Sequence, residues 1–234
     1  MKRSYEKEMM DFTGNNSELL AGNLSNLRML NRHLCGSRGV MLALQGALGR
    51  ETLKHFSVLD VGTGSADIPA AIFVWAKRRN ITMKIVGVEA DPITARIAAN
   101  QTKQLAEIEI VQGDAGAPPF LPGSFDFVIA SQFLHHFSEA KIIDLLKQWA
   151  TLARRGIVIS DLIRHPVAYH GIRLLTKLAT RNIMTLTDAP LSVRRAFSFS
   201  EWRELLWQAD IGSVHMISVF PFRVAAFVKL GGGR

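Results

Sequence analysis

The chain has 234 residues, of which 48% are hydrophobic, and this is sufficient for the core of one α/β domain. It lacks an apolar run of about 18 residues and a signal-peptide core, so we expect a cytoplasmic protein without a membrane span. The single cysteine, Cys35, excludes an internal disulfide framework and is expected to be a small buried residue. The net charge of +8 permits a nucleic acid, an anionic surface or an acidic substrate as partner.

Residues 1–50 predict an N-terminal helical cap. Its first residues, 1–16, are expected to be a loosely held lead-in. A helix is predicted from Ser17 until Gly36, because leucines recur there every three or four residues. A second, short helix is predicted over about Ser37–Leu48.

Residues 51–234 alternate between strand and helix patterns. The predicted strands are Ser57–Val61, Lys84–Val88, Glu107–Val111, Phe125–Ala130 and Gly156–Ser160. The helices predicted between them are Ile68–Arg79, Pro92–Leu105 and Glu139–Leu152. Nearly continuous apolar strands separated by amphipathic helices predict an α/β fold, a parallel sheet covered on both faces.

After the fifth strand the alternation gives way to a basic, helix-prone insertion at about 162–198. Between Leu162 and Arg203, seven Lys and Arg residues stand against two acids. This segment carries most of the net charge, and a solvated helix face explains it as well as a binding surface does. A helix over about Ser200–Ala209 follows. Two final strands, about Ser213–Val219 and Phe222–Leu230, bring the predicted sheet to seven.

The turn after the first strand predicts a nucleotide-like ligand. Val58–Pro69 reads VLDVGTGSADIP, an apolar strand followed by Gly62, Gly64 and the start of a helix. The dinucleotide fingerprint has Gly or Ala where this chain has Asp67, and a carboxylate there would repel a pyrophosphate. S-adenosylmethionine (SAM) has no phosphate and is positively charged at its sulfonium and ammonium groups, so nearby acids favour it over NAD.

Acidic residues also end the first three strands. Asp60 lies in the first, Glu89 follows the second and Asp114 follows the third. In open α/β sheets, ligands bind outside the carboxyl ends of the strands. Glu89 is placed to accept hydrogen bonds from ribose hydroxyls and Asp114 to meet an adenine edge.

Five segments resemble, in order and spacing, the motifs of class I SAM-dependent methyltransferases: VLDVGTGSADIP, VGVEADP, VQGDA, FDFVIASQFLHHF and IVISDL. The resemblance covers about residues 55–162, with Ala66 in place of the third motif glycine. It implies a Rossmann-like, mostly parallel seven-stranded sheet whose last strand is antiparallel. It implies SAM contacts at Asp60, Gly62, Thr63, Gly64, Asp67, Ile68, Glu89, Ala90, Asp91, Gly113, Asp114, Ala115 and Ser131. Asn31 or Arg32 of the first helix is expected near the SAM carboxylate.

The region after the fourth strand points to a small-molecule acceptor. Ser131-Gln132-Phe133 stands where nucleic-acid amino-methyltransferases of this class carry an Asn/Asp-Pro-Pro-aromatic motif, and no Pro-Cys nucleophile is present. We therefore expect no nucleic-acid partner. The chain resembles the branch that includes ubiquinone/menaquinone C-methyltransferases and natural-product enzymes.

His135 and His136 are the candidate catalytic residues. We expect His135 to face the methyl group as the base that removes the acceptor's proton, and His136 to be partly structural. Asp161, which ends the fifth strand, either orients that histidine, contacts the acceptor or caps a helix or loop. Two adjacent histidines also suggest a metal, but no third ligand lies at a recognisable spacing, so no metal is expected.

The insertion stands where this family carries its acceptor-specificity cap, and Tyr169, His170, Arg173 and Arg194 are the candidate acceptor-binding residues. The N-terminal helix either closes the other side of the site, packs simply on the domain or forms a homodimer seam. The predicted function is methylation at O or C of a small aromatic, phenolic or quinone-like acceptor. The alternatives are a methyltransferase acting on RNA or protein and a non-catalytic protein of the same fold that binds SAM.

Overall fold

The computed structural model describes residues 1–12, 14–34, 36–49 and 54–231. Within them the chain forms one seven-stranded sheet and eight α-helices. The strands are β1 (His55–Val61), β2 (Thr82–Glu89), β3 (Ile108–Gln112), β4 (Phe125–Ser131), β5 (Ala153–Leu162), β6 (Gly212–Val219) and β7 (Arg223–Leu230). The helices are α1 (Ser17–His33), α2 (Gly36–Leu48), α3 (Asp67–Lys77), α4 (Pro92–Thr102), α5 (Glu139–Leu152), α6 (Pro166–Ala179), α7 (Ile183–Arg195) and α8 (Phe199–Ala209).

The strand order is β3-β2-β1-β4-β5-β7-β6. β1 lies in the middle of the sheet and pairs in parallel with β2 on one side and β4 on the other. β7 is antiparallel to both β5 and β6. The prediction of a mostly parallel sheet with an antiparallel last strand is confirmed. The chain changes direction across the sheet at the β1–β4 pair, and a crevice opens at the carboxyl ends of strands at such a point.

Apolar side chains on both faces of the strands fix the two helical layers. One layer packs Trp149 of α5 and Trp202 of α8 against the sheet, and both side chains are fully buried. The other packs Leu44 of α2 and Ile72 of α3 against the opposite face. The strands are buried on both sides, which is why their sequences read as apolar runs rather than as alternating patterns.

The insertion after β5 folds as two helices, α6 and α7, and its two ends lie side by side. Ile163 and Phe197 form a bridge between its two ends. His165 caps α6 and stacks on Phe222, which precedes β7, with ring centroids 4.7 Å apart. This anchoring holds α6 and α7 over the carboxyl ends of the strands.

The N-terminal segment differs from the predicted loose lead-in. The Ser4 amide donates to the Arg194 carbonyl at 2.9 Å, and the amides of Met9 and Met10 donate to the Asp188 carboxylate at 2.8 and 3.1 Å. These bonds tie residues 1–12 to α7. The prediction overlooked this because the hydrogen bonds use backbone groups that a sequence pattern does not reveal.

Cys35 lies outside the described residues, and so does the prediction that it is a small buried residue. No helix in the described part of the chain is both long enough and apolar enough to cross a membrane.

Candidate functional site

A cavity of about 980 Å³ opens at the carboxyl ends of β1, β2 and β4. Its walls come from the sheet, from α1, from the insertion helices α6 and α7, and from residues 7–12. One end of the cavity, which we call the donor end, lies at the glycine turn after β1. The other, which we call the acceptor end, lies at His135, His136 and Glu8.

The donor end is formed by a turn that requires glycine. Gly62 and Gly64 have φ angles of +65° and +55°, a region that favours glycine. A Cβ atom at Gly62 would also collide with the Phe133 ring, which packs directly against it. Glu89, at the end of β2, accepts the Gly64 amide at 3.0 Å and the Asp91 amide at 3.1 Å, so its carboxylate holds the turn and the start of α4 together.

The donor end holds three carboxyl groups in an environment that disfavours their charge. Burial raises the pKa of Asp60 to about 7, with repulsion from Asp67 and Glu89 adding to the effect, although the Thr63 hydroxyl donates to it at 2.6 Å. Burial also raises the pKa values of Asp67 and Glu89. Asp67 accepts the Asn31 amide at 3.1 Å. A cation placed here would stabilise all three carboxylates.

The acceptor end is a pair of histidines on the short 3₁₀ helix Leu134–His136. His135 Nδ1 lies 2.7 Å from an Asp161 carboxylate oxygen, and His136 Nδ1 lies 2.8 Å from Asp11 Oδ1. The two Nε2 atoms face Glu8, at 3.6 Å from His135 and 3.9 Å from His136. Glu8 is buried.

The charges at the acceptor end compensate one another. Burial alone would lower the pKa of His135, but the Asp161 and Glu8 carboxylates outweigh burial and raise that pKa to about 10. Burial opposes the charge of Glu8 and Asp161, yet the neighbouring histidines hold their pKa values below the ordinary range. Asp11 has a lowered pKa for the same reason, helped by Arg195 at 2.5 Å. The Asp161 and Glu8 carboxylates therefore favour the protonated form of His135, and its expected role as the base that removes the acceptor's proton stays a prediction.

Most of the predicted donor-binding residues line the cavity. They are Asp60, Gly62, Thr63, Gly64, Asp67, Ile68, Glu89, Ala90, Asp91 and Ser131. His135 and His136 line it as well, and Asp161 is buried behind His135, which it positions. These residues are therefore brought together as expected.

Other predicted residues lie away from the cavity wall. Gly113, Asp114 and Ala115 are not part of it, and the Asp114 carboxylate accepts the Gly116 amide of its own loop at 2.7 Å. Arg32 is exposed, whereas Asn31, its neighbour on α1, lines the cavity. One helical step separates the residue that faces inward from the one that faces solvent.

The four predicted acceptor-binding residues also lie outside the wall. α6 turns an apolar face to the cavity, formed by Val167, Ala168, Gly171, Ile172 and Leu175. Tyr169, His170 and Arg173 fall on the other side of the same helix, because they are offset from that face in the helical repeat. Arg194 points outward to Glu6, at 3.9 Å, while its neighbour Arg195 lines the cavity.

Glu8 and Asp11 are the site residues that the sequence did not reveal. They lie in a charged stretch, KEMMD, with no motif, and their partners are more than a hundred residues away. The one available signal was the pair Met9-Met10 between two acids, which is unusual for an exposed tail. Their position depends on the docking of the segment to α7.

The central part of the chain matches a known protein family. Residues 58–156 match a family model described as a methyltransferase domain. A demethylmenaquinone methyltransferase from Staphylococcus carnosus is 27% identical over 127 residues, which are 54% of this chain and 49% of that protein. The chain thus matches about half the length of this curated relative.

Solved structures share the fold over most of the chain. A SAM-dependent methyltransferase from Aquifex aeolicus has a TM-score of 0.59 at 16% identity, covering 82% of this chain and 89% of that one. An O-methyltransferase family 2 protein from Planctomyces limnophilus, in complex with apigenin, has a TM-score of 0.66 at 19% identity, covering 94% and 63%. The plantazolicin methyltransferase BamL, in complex with a triazolic desmethylPZN analog and SAH, has a TM-score of 0.66 at 14% identity, covering 92% and 97%.

Proposed function

We propose that this chain is a class I SAM-dependent methyltransferase that transfers the methyl group of SAM to a small aromatic or quinone-like acceptor, at O or C. The observation that carries the proposal is the continuous cavity that joins the glycine turn and strand-end carboxylates to the Glu8–His135–His136 cluster. The names of two similar proteins agree with such an acceptor. The curated relative is named for demethylmenaquinone, and one structural neighbour was solved with apigenin.

The donor end suits a cationic nucleoside. Asp60, Asp67 and Glu89 are buried carboxyl groups with raised pKa values, so a sulfonium or ammonium group would lower the free energy of their charged forms. The turn at Gly62 and Gly64 brings backbone close to the cavity. We infer that the adenosyl moiety lies along this turn, with Glu89 beneath the ribose.

The acceptor end combines an apolar wall with a polar end. Val167, Ile172 and Leu175 of α6 form an apolar wall against which an aromatic ring could pack. An acceptor hydroxyl at the far end would meet the Glu8 carboxylate, which can accept its proton, and the histidine Nε2 atoms, which can stabilise the oxyanion. The methyl group then moves in an in-line displacement, for which the protein must align the acceptor atom with the S–CH₃ bond and exclude water.

The test is donor binding followed by turnover. Calorimetry should show that SAM and S-adenosylhomocysteine bind one site, and mass spectrometry should detect methylated product with a panel of phenols and quinols. His135→Ala should lose turnover and keep its affinity for SAM, whereas His170→Ala, on the outside of α6, should change neither. A protein that ignores both donor compounds at millimolar concentration would refute the proposal. Salt-steep binding to bulk RNA, accompanied by RNA methylation, would favour a macromolecular acceptor instead.

A further inference from the structure

Three side chains at the acceptor end point potential ligand atoms at one another, and one of the Glu8 oxygens also accepts the Ser192 hydroxyl at 2.9 Å. The three are Glu8, His135 and His136, and one ligand atom from each lies within 4.8 Å of the others. We propose that these three residues bind a divalent first-row transition ion, with Zn²⁺ as the best match. Two imidazole nitrogens and one carboxylate oxygen form a donor set that suits Zn²⁺, Co²⁺ or Fe²⁺ and does not suit Mg²⁺ or Ca²⁺, which prefer oxygen alone.

Both histidines are held in the orientation that a metal ligand needs. Asp161 contacts Nδ1 of His135 at 2.7 Å and Asp11 contacts Nδ1 of His136 at 2.8 Å. A carboxylate on Nδ1 fixes the ring and leaves Nε2 as the ligand atom, which is the usual outer-shell arrangement around metal-binding histidines. The two independent carboxylates, from β5 and from the N-terminal segment, thereby turn both Nε2 atoms toward Glu8.

The spacing of the three ligand atoms fits a shared ion better than direct hydrogen bonds. The Nε2 atoms lie 3.6 and 3.9 Å from the Glu8 oxygens, beyond ordinary hydrogen-bond length. Ligands with bond lengths of about 2.0–2.2 Å to one ion are about 3.0–3.5 Å apart, so a small contraction completes the site. His135 Nε2 is buried and has no hydrogen-bond partner among the described residues, which a coordinate bond would provide.

The local charge also favours a dication. Glu8, Asp11 and Asp161 bring three carboxylates, and Arg195 lies 3.9 Å from Glu8 and 2.5 Å from Asp11. Arg3, another nearby cation, donates instead to the Phe137 carbonyl at 2.7 Å and to Glu139 at 3.0 Å. Histidines that bind a metal are neutral, since the ion takes the place of their Nε2 protons, and the three carboxylates with Arg195 then carry a charge of about −2, which one divalent ion compensates.

The three ligands all line the cavity, so an ion held by them would keep a coordination position open toward the acceptor. There it could polarise an acceptor oxygen as a Lewis acid, and this consequence rests on the proposed function. Binding of the ion itself does not depend on it.

The experiment measures metal binding without turnover. The full chain, in a Cys35→Ser background that removes its one thiol, is treated with a chelator and titrated with Zn²⁺ by calorimetry and with Co²⁺ by visible absorption. We expect one ion per chain. Glu8→Gln and His136→Ala should each weaken Zn²⁺ binding by more than about 100-fold, and Asp161→Asn by about 10-fold or more, since outer-shell partners typically contribute 10- to 100-fold. His170→Ala is the matched control and should bind like the parent.

Binding of S-adenosylhomocysteine by every variant separates the possible failures. Variants that keep this affinity are folded, so a loss of metal is then due to the lost ligand; His136, the least buried of the three, keeps the test available if Glu8→Gln does not fold. A parent chain that binds S-adenosylhomocysteine but not Zn²⁺, or whose Zn²⁺ affinity survives both ligand substitutions, overturns this inference and leaves the proposed function standing. Zn²⁺ binding without any affinity for the donor would refute the function alone.

Discussion

The two ends of the cavity place buried carboxyl groups in opposite electrostatic states. At the donor end, burial raises the pKa values of Asp60 and Glu89. At the acceptor end, burial acts on Glu8 and Asp161 in the same direction, but histidines beside them reverse the result and lower their pKa values. The difference comes from the neighbouring groups, which are other acids beside Asp60 and imidazole rings beside Glu8 and Asp161. A cationic ligand would stabilise the charged carboxylates of the donor end, whereas at the acceptor end the imidazole protons, or an ion that takes their place, do so.

The largest expected effect comes from Glu89, whose substitution should weaken ligand binding at the donor end and leave the acceptor end unchanged. Glu89→Ala frees the Gly64 amide and removes both carboxylate oxygens, which under the proposed function would accept the ribose hydroxyls. Hydrogen bonds to charged groups are worth about 1.5–3 kcal/mol each, so two of them predict at least a 100-fold loss of affinity for S-adenosylhomocysteine in calorimetry. Glu109→Ala, on the exposed side of β3, is the control. Equal affinity in the two variants would remove Glu89 from the donor site.

The next effect is a change with pH in the free energy of unfolding, caused by the raised pKa of Asp60 at the donor end. Because burial raises the folded-state pKa of Asp60 to about 7, its neutral form stabilises the fold below about pH 4, and this contribution is lost as pH rises through about 7. The side-chain amide that Asp60→Asn introduces cannot ionise, so the stability of that variant lacks this pH dependence. Between pH 4 and 8, the free energy of unfolding of the wild type should therefore fall by up to about 4 kcal/mol relative to the variant, at 1.36 kcal/mol per pKa unit. Urea unfolding at several pH values measures the difference.

Donor binding should reverse this penalty. A cationic ligand favours the ionised Asp60, so SAM binding near pH 6 should release a proton that calorimetry detects in buffers of different ionisation enthalpy. Asp60→Asn should reduce that release, and the part that remains would come from Asp67 and Glu89, whose pKa values are also raised. A stability difference that does not change with pH would contradict the raised pKa.

The donor end and the sheet could be predicted because their signals are local. The strand β1, the turn at Gly62 and Gly64 and the start of α3 lie within a dozen consecutive residues, and Glu89 ends the next strand. Apolar runs and glycine turns reveal such units directly. The order of the strands then follows from the resemblance, and the carboxyl ends of neighbouring parallel strands meet by geometry alone.

The acceptor end could be predicted only in part because its contacts are long-range. His135 and Asp161 were found since each ends or follows a strand, but Glu8 reaches them through a segment that precedes the whole domain. The orientation of α6 posed a different difficulty. Its basic residues and its apolar residues are both plentiful, and packing over the cavity, rather than composition, decides that the apolar face turns inward.

A smaller effect is expected at Arg3, which ties the N-terminal segment to the acceptor end. Its guanidinium donates to the carbonyls of Arg195 and Phe137, both at 2.7 Å, and lies over the Phe197 ring. Arg3→Met keeps the apolar stem and loses these bonds, so docking of Glu8 should weaken by about 1–2 kcal/mol. We expect the acceptor KM to rise about 10-fold while donor affinity stays unchanged.

The matched control for Arg3 is Arg194→Met, because Arg194 is a partly exposed arginine that pairs with the exposed Glu6 at 3.9 Å. It should leave the acceptor KM unchanged, as exposed ion pairs contribute little. Limited proteolysis of residues 1–12 gives a second readout, with faster cleavage expected for Arg3→Met. Equal behaviour of the two variants would show that the segment does not depend on Arg3 for its docking.

The smallest effect distinguishes the two faces of α6. Gly171 lines the cavity, and beyond its chain neighbours and the adjacent backbone of α6 no heavy atom of the described residues lies within 4 Å of where its Cβ would be, so Gly171→Leu adds a side chain to the acceptor space without disturbing the core. Bulky acceptors should then show a KM raised by about 3- to 10-fold, equivalent to about 1 kcal/mol, with donor affinity unaffected. Arg173→Ala, on the outer face, should change the KM of neutral and anionic acceptors by less than about 2-fold. If Arg173→Ala instead weakened anionic acceptors more than Gly171→Leu weakened bulky ones, the acceptor would approach along the basic face of α6, and the apolar wall would be a packing surface rather than a binding one.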